Sequence, residues 1–132
     1  MQVIINACFG GFGLSGEACE WLIENRGWRV TDYNDDGHGY KDPTAQLVRH
    51  TSGKGPDMTR LVGSEYFLTV NRDDLAAVRE NKDIIDAVLA LGKKANGRCA
   101  DLKIVDIPDD VKYIIEEYDG NEHIAEVHRT WE

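Results

Sequence analysis

An α+β fold, as a single domain over residues 1–132, is what this sequence predicts, and three observations carry it. A β-prone apolar run opens the chain and gives way to glycines and a helical pattern. A second helical periodicity stands between Asp83 and Leu91, and the C-terminal part alternates on both sides of an Asp-Gly turn signal. The length suits one hydrophobic core, and no stretch approaches the ~20 apolar residues a membrane span needs.

Val3 to Ala7 reads as a buried strand. Gly10, Gly11 and Gly13 break it, and Ser15 offers an N-cap for a helix through about Arg26, with Gly27 as the stop. Leu14, Ala18, Trp21 and Leu22 give that helix its apolar face. Trp28 to Tyr33 alternates and suggests a second strand returning beside the first, which would make a β-α-β start. Asn34 to Pro56 is rich in Gly, Asp, Pro and Ser and reads as a long surface excursion with one helical turn around Thr44 to Arg49.

Glu65 to Val70 is the next expected strand, and Asn71 or Asp73 is expected to cap a short helix over Leu75, Ala76 and Val78. Asp83 to Leu91 carries apolar residues at helical spacing, stopped by Gly92, with Lys93 and Lys94 at the negative end of the dipole. After an Asn96-Gly97 turn, Leu102 to Ile107 alternates as a strand and Pro108-Asp109-Asp110 turns the chain. Lys112 to Tyr118 and Glu122 to His128 then flank Asp119-Gly120-Asn121 as a hairpin. A three-residue loop sets Ile115 opposite Ala125 and Tyr113 opposite Val127, whereas a two-residue Asp-Gly loop shifts the pairing. The expected architecture is a mixed β-sheet with packed helices and a C-terminal β-hairpin.

A net charge of −9 opposes polynucleotide binding, which rests on Lys and Arg neutralising phosphates, but leaves room for a small phosphorylated ligand held locally. Three cysteines without C-x-x-C spacing, and no basic start or cleavage site of a secretory signal, point to a reducing cytosol. No membrane partner is expected.

The segment Cys8 to Ser15 follows a strand and opens a helix, a geometry in which glycines admit a ligand to the backbone and helix-start N–H groups suit an anion. The plainer reading is a tight turn whose glycines serve only φ and packing. It is neither the dinucleotide G-x-G-x-x-G nor a P-loop. Phe9 and Phe12 offer stacking faces or belong to the core. Asn96 and Arg98 offer an amide and a guanidinium, against a plain helix-exit turn. Arg129 and Trp131 pair a phosphate donor with a stacking surface, against a Trp that caps the core.

Cys8 near a helix N-terminus is the one candidate nucleophile, without an evident base; Cys19 and Cys99 read as core residues. Asp32 to Gly37 matches the first half of a calcium loop, but Pro43 stands where the bidentate Glu belongs, so no metal is expected. Glu116 and Glu117 fall on opposite sheet faces and read as a solvated hairpin. Neither a catalytic set nor a cofactor is expected.

The blocks Val3 to Ser15, Ala95-Asn96-Gly97-Arg98, Ile107 to Asp110, Glu116 to Gly120 and His128-Arg129-Thr130-Trp131 resemble a family of small phage and prophage proteins, that of the Thoeris anti-defence sponges. The likeness covers both ends of the chain and is thin between Asn34 and Lys82. It implies a non-enzymatic protein of the host bacterial cytoplasm that sequesters cyclic ADP-ribose isomers, and in some members cyclic oligonucleotides, as a homodimer or higher homo-oligomer. Phe9, Gly10, Gly11, Asn96 and Arg129 lie in the matching blocks with suitable chemistry. Two other classes are weighed beside it: a small nucleotide- or acyl-directed enzyme using Cys8, and a protein-binding inhibitor whose acidic surface is a decoy for a basic partner.

Overall fold

In the computed structural model, residues 1–35, 41–49, 58–61 and 66–127 are described. They form eight strands and two α-helices, in the order β1 (Gln2–Asn6), α1 (Gly16–Arg26), β2 (Val30–Asp35), β3 (Lys41–Arg49), β4 (Met58–Leu61), β5 (Tyr66–Leu68), a π-helical turn (Leu75–Arg79), α2 (Lys82–Leu91), a 3₁₀ turn (Gly92–Ala95), β6 (Leu102–Asp106), β7 (Tyr113–Tyr118) and β8 (Asn121–Glu126). The α+β class and the C-terminal hairpin stand as the sequence predicts. No helix among the described residues is long and apolar enough to cross a membrane.

Local chemistry sets both helices. Ser15 caps α1 by accepting the Ala18 N–H at 3.0 Å and donates its own hydroxyl to the Lys94 carbonyl. Gly27 closes the helix in the left-handed region, φ 66°, as only glycine does cheaply. Asn81 caps α2 through the N–H groups of Asp83 and Ile84. Ala18, Cys19, Leu22 and Ile23 of α1 pack with Ile84, Ile85, Ala87 and Val88 of α2 in one core that also takes Ile4, Trp28, Val30 and Met58. Trp28 is fully buried, and its indole N–H is satisfied by Asp83 at 2.9 Å.

The strand pairing differs from the simplest β-α-β arrangement. β2 does not return beside β1: it lies in a mixed sheet of order β3-β2-β4-β5, parallel to β4 and antiparallel to β3. The hydrogen-bonded partner of β1 is β6, antiparallel, with Ile4 opposite Ile104. The other edge of β1 is closed by side chains, which leaves no place there for a strand. Arg79 donates to the Ile4 carbonyl at 3.2 Å, and Glu122 accepts the Asn6 N–H at 2.9 Å.

Three further expectations change. The helical turn around Thr44 to Arg49 is instead part of the nine-residue strand β3. Pro43, which lacks an N–H for the ladder, falls where the register slips, between Lys41 opposite Asp35 and Gln46 opposite Tyr33. The cap of the turn at Leu75 is Asp74 rather than Asn71 or Asp73, its carboxylate accepting the Ala77 N–H at 2.8 Å. The hairpin loop is the two-residue Asp119-Gly120, so Ile115 faces Ile124 and Tyr113 faces Glu126. Both loop residues have positive φ, 51° and 88°, the primed turn that matches strand twist.

Ser15→Ala removes both the cap and the bond to Lys94. It is expected to lower the unfolding free energy by about 1–2 kcal/mol in urea titrations followed by circular dichroism.

Candidate functional site

The glycine loop, the π-helical turn and the hairpin meet around a cleft of about 540 Å³, within the range of small-molecule sites. Gly10, Gly11 and Phe12 form one wall. Arg72, Asp73 and Leu75 form the second. The third belongs to the hairpin, with Ile114, Ile115, Glu117, Asp119, Gly120 and Glu122.

Behind these walls lies a buried ion pair. The Arg79 side chain has no exposed surface, and that of Glu122 has 6%. Arg79 spends all five of its N–H donors: Nε on the Arg72 carbonyl (2.7 Å), Nη1 on the Ile4 carbonyl (3.2 Å) and Glu122 Oε1 (2.6 Å), Nη2 on Asp73 Oδ1 (3.0 Å) and Glu122 Oε2 (2.9 Å). Its guanidinium also stacks 3.8 Å from the centroid of the Phe12 ring. Burial pushes the Glu122 carboxyl up, but hydrogen bonds from Arg79 and the Asn6 amide, with the charges of Arg79 and Arg72, outweigh it, and the net displacement is downward.

Asn6, also fully buried, ties the loop to the turn. Its Nδ2 donates to the carbonyls of Cys8 and Gly120, each at 2.7 Å, and its Oδ1 accepts the Asp101 N–H at 2.8 Å. The hairpin tip thereby rests on the glycine loop with no side chain between them. A Cβ on Gly120 would come within 2.3 Å of the Gly11 nitrogen, and one on Gly10 within 2.6 Å of the Cys99 Cβ. Gly10, at φ 124°, gives its N–H to the Asp119 carbonyl at 3.1 Å. Gly11, at φ 105°, lies against the Arg72 guanidinium, which would be in ordinary contact at 3.4 Å with a Cβ there and donates to the Phe12 carbonyl at 3.2 Å.

Of the residues singled out in the sequence, Gly10, Gly11 and Phe12 line the cleft. Phe12 is 4% exposed beneath Arg79, so it is a core ring rather than a stacking face. Phe9 is 58% exposed and makes an edge contact with Tyr118, ring centroids 6.5 Å apart. Asn96 is a structural residue: its Oδ1 accepts the Leu102 N–H at 2.9 Å, and its backbone bridges to Leu14. Arg98 is exposed in the turn that follows and does not line the cleft. Arg129 and Trp131 lie outside the described residues.

The start of α1 does not line the cleft. The Ser15 N–H is bonded to the Ala95 carbonyl, the Ala18 N–H to the Ser15 hydroxyl, and the helix end packs on the 3₁₀ turn instead of opening into the cleft. Cys8 is exposed and off the cleft lining. Cys99 is exposed rather than core, whereas Cys19 is buried and its thiol is pushed up to about 12 by desolvation and by the neighbouring Glu20 charge. Asp32 to Asp35 run extended in β2, not wrapped as a calcium loop requires, and Asp36 and Gly37 lie outside the described residues. Glu116 and Glu117 do part to different partners, His123 and the Gly120 N–H.

Sequence reasoning missed Arg72, Asp73, Arg79 and Glu122. The available signal was Arg79 closing the otherwise apolar Leu75 to Val78 run, and Glu122 one residue beyond the first position after the hairpin turn. Comparison of the chain with protein-family models, curated proteins and solved structures finds no match in any of the three.

Glu122→Ala leaves Arg79 buried with its main partner gone and is expected to cost about 3–5 kcal/mol of stability. Because the folded carboxyl titrates below its ordinary value near 4.5, the pair's contribution is complete above that value and is lost as pH falls through the lower one. The stability difference between wild type and Glu122→Gln, measured by urea unfolding at a series of pH values, is therefore expected to fall away on acidification.

Proposed function

We propose that the chain is a non-enzymatic binder of a small phosphorylated nucleotide, acting by sequestration. The observation that carries this reading is Arg72, whose guanidinium stands over the side-chain-free Gly11 in the wall of a cleft of nucleotide size. A guanidinium fixed by a bond to a backbone carbonyl keeps further N–H donors for a phosphate, and glycine lets that phosphate approach closely. Outside the lining, exposed Phe9 of the glycine loop and Tyr118 at the end of β7 meet edge to face and offer aromatic surface for a base.

Glu122, the buried carboxylate of the site, is held by Arg79 and the Asn6 amide, and among the described residues no nucleophile stands beside the remaining carboxylates of the lining, which favours holding a ligand over cutting it. Cys8, the candidate nucleophile, is not part of the lining. The sequence likeness to the Thoeris anti-defence proteins makes a cyclic ADP-ribose isomer the first ligand to try. It also makes assembly into a homodimer part of the proposal.

Purified protein is mixed with cyclic ADP-ribose isomers, binding is measured by calorimetry, and the protein is then denatured by heat. Intact nucleotide in the supernatant supports sequestration; converted nucleotide means an enzyme. Arg72→Ala, which leaves the Arg72 carbonyl that Arg79 uses, is expected to weaken binding by about ten- to a hundredfold, the range of a charge-assisted hydrogen bond, with an unchanged circular dichroism spectrum.

A further inference from the structure

The charges of the cleft are lopsided for a phosphate site. Even counting Arg79 behind the wall, two guanidiniums face four carboxylates, Asp73, Glu117, Asp119 and Glu122. Arg79 is saturated by Glu122, Asp73 and two carbonyls, so Arg72 alone has donors to offer a ligand. Across from it the hairpin contributes Glu117 and Asp119, neither of them ion-paired among the described residues. Glu117 uses one oxygen on the Gly120 N–H at 2.8 Å, and its other oxygen remains an acceptor.

A single phosphate satisfies Arg72. Each further negative charge is pressed toward the carboxylates of the hairpin. For like charges about 6 Å apart, with an effective dielectric between those of water and the protein interior, that repulsion costs on the order of tenfold in affinity. Ionised carboxylates accept hydrogen bonds and donate none, so the ligand groups they take are hydroxyls or amines, and a ribose diol supplies two hydroxyls side by side.

Resting on the nucleotide-binding reading above, we infer that the cleft selects ribonucleotides of low charge, with one phosphate or one pyrophosphate at Arg72 and the free ribose hydroxyls on the Glu117–Asp119 side, and rejects nucleoside triphosphates. Selection by repulsion keeps the cleft free of triphosphates without any contact made specifically against them.

Two substitutions remove the charge and keep the shape. Glu117→Gln retains an oxygen for the Gly120 N–H. Asp119→Asn retains a residue tolerant of positive φ, and Asn-Gly favours the same turn as Asp-Gly. Calorimetry of the full chain and of the double variant with AMP, ADP-ribose, 2′-deoxy-AMP and ATP reads the outcome. In the wild type, AMP and ADP-ribose are expected to bind at least about tenfold more tightly than ATP, and AMP more tightly than its deoxy analogue. In the double variant the gap to ATP is expected to narrow by about tenfold. ATP binding as well as AMP, a gap unchanged in the variant, or deoxy-AMP matching AMP overturns the inference and leaves nucleotide binding in place. If none of the four binds to folded protein but a cyclic ADP-ribose isomer does, the inference alone is overturned; if the cyclic isomers fail to bind as well, the nucleotide reading beneath it falls with it.

Discussion

The buried pair of Arg79 and Glu122 is the interaction on which the rest of this structure turns. A strand edge in a protein interior must have its N–H and C=O groups satisfied, and the ordinary solution is another strand. Here the outer edge of β1 is satisfied by two side chains from distant segments, a guanidinium on the Ile4 carbonyl and a carboxylate on the Asn6 amide. Each of those side chains needs the other, because an isolated charge at that depth would be intolerable. The pair thus fastens the π-helical turn and the hairpin to β1 without a backbone ladder between β1 and β8.

This mode of attachment is what opens a cleft. Strands joined by a ladder stand about 4.8 Å apart and leave no gap, whereas elements joined through long side chains can diverge. Arg79 holds the Arg72 carbonyl, which sets the backbone from which the Arg72 side chain reaches Gly11. Asn6 holds the Gly120 carbonyl against the glycine loop. Two chain reversals, one at Gly10-Gly11 and one at Asp119-Gly120, therefore touch backbone to backbone, and Leu75 and Ile114 are among the other residues of the lining. Among the described residues, α1, α2 and the β3-β2-β4-β5 sheet give none of the lining; they contribute to the core in which Phe12 is buried.

What could be read in the sequence was what is decided locally. The cap at Ser15, the left-handed stop at Gly27 and the periodicity of α2 act within a few residues, and they came out within a residue or so of the structure. The hairpin was legible too, but its register was not, because Asp-Gly and Asp-Gly-Asn loops differ by a single residue and the flanking apolar alternation suits both. β3 was hidden by Pro43, which argues against a strand unless the register slips around it. The partner of β1 depends on contacts about a hundred residues away. The glycine loop was correctly marked as special, yet for a different reason: Gly10 answers to Cys99 and Gly120 pressing on the loop, not to amides opening at a helix start. Asn96 was special in the same way, a residue that joins loops and stands off the cleft lining. Arg79 and Glu122 each stand out only faintly in their own segments, and their meeting is set by the tertiary fold.

The π-helical turn that delivers Arg79 is closed by bonds spanning five residues, from the Arg79 N–H to the Asp74 carbonyl at 3.1 Å and from the Glu80 N–H to the Leu75 carbonyl at 2.7 Å. Such a turn holds one residue more than an α-helical one. Shortening the segment would let it relax to ordinary α geometry, which a helix former would welcome, but every side chain past the deletion would swing by about 100° around the axis. The guanidinium would then leave its carboxylate and the edge of β1 would be stripped. Between Asp74 and Asn81 the chain is therefore a spacer of fixed count: its exposed letters can be exchanged, but none can be dropped.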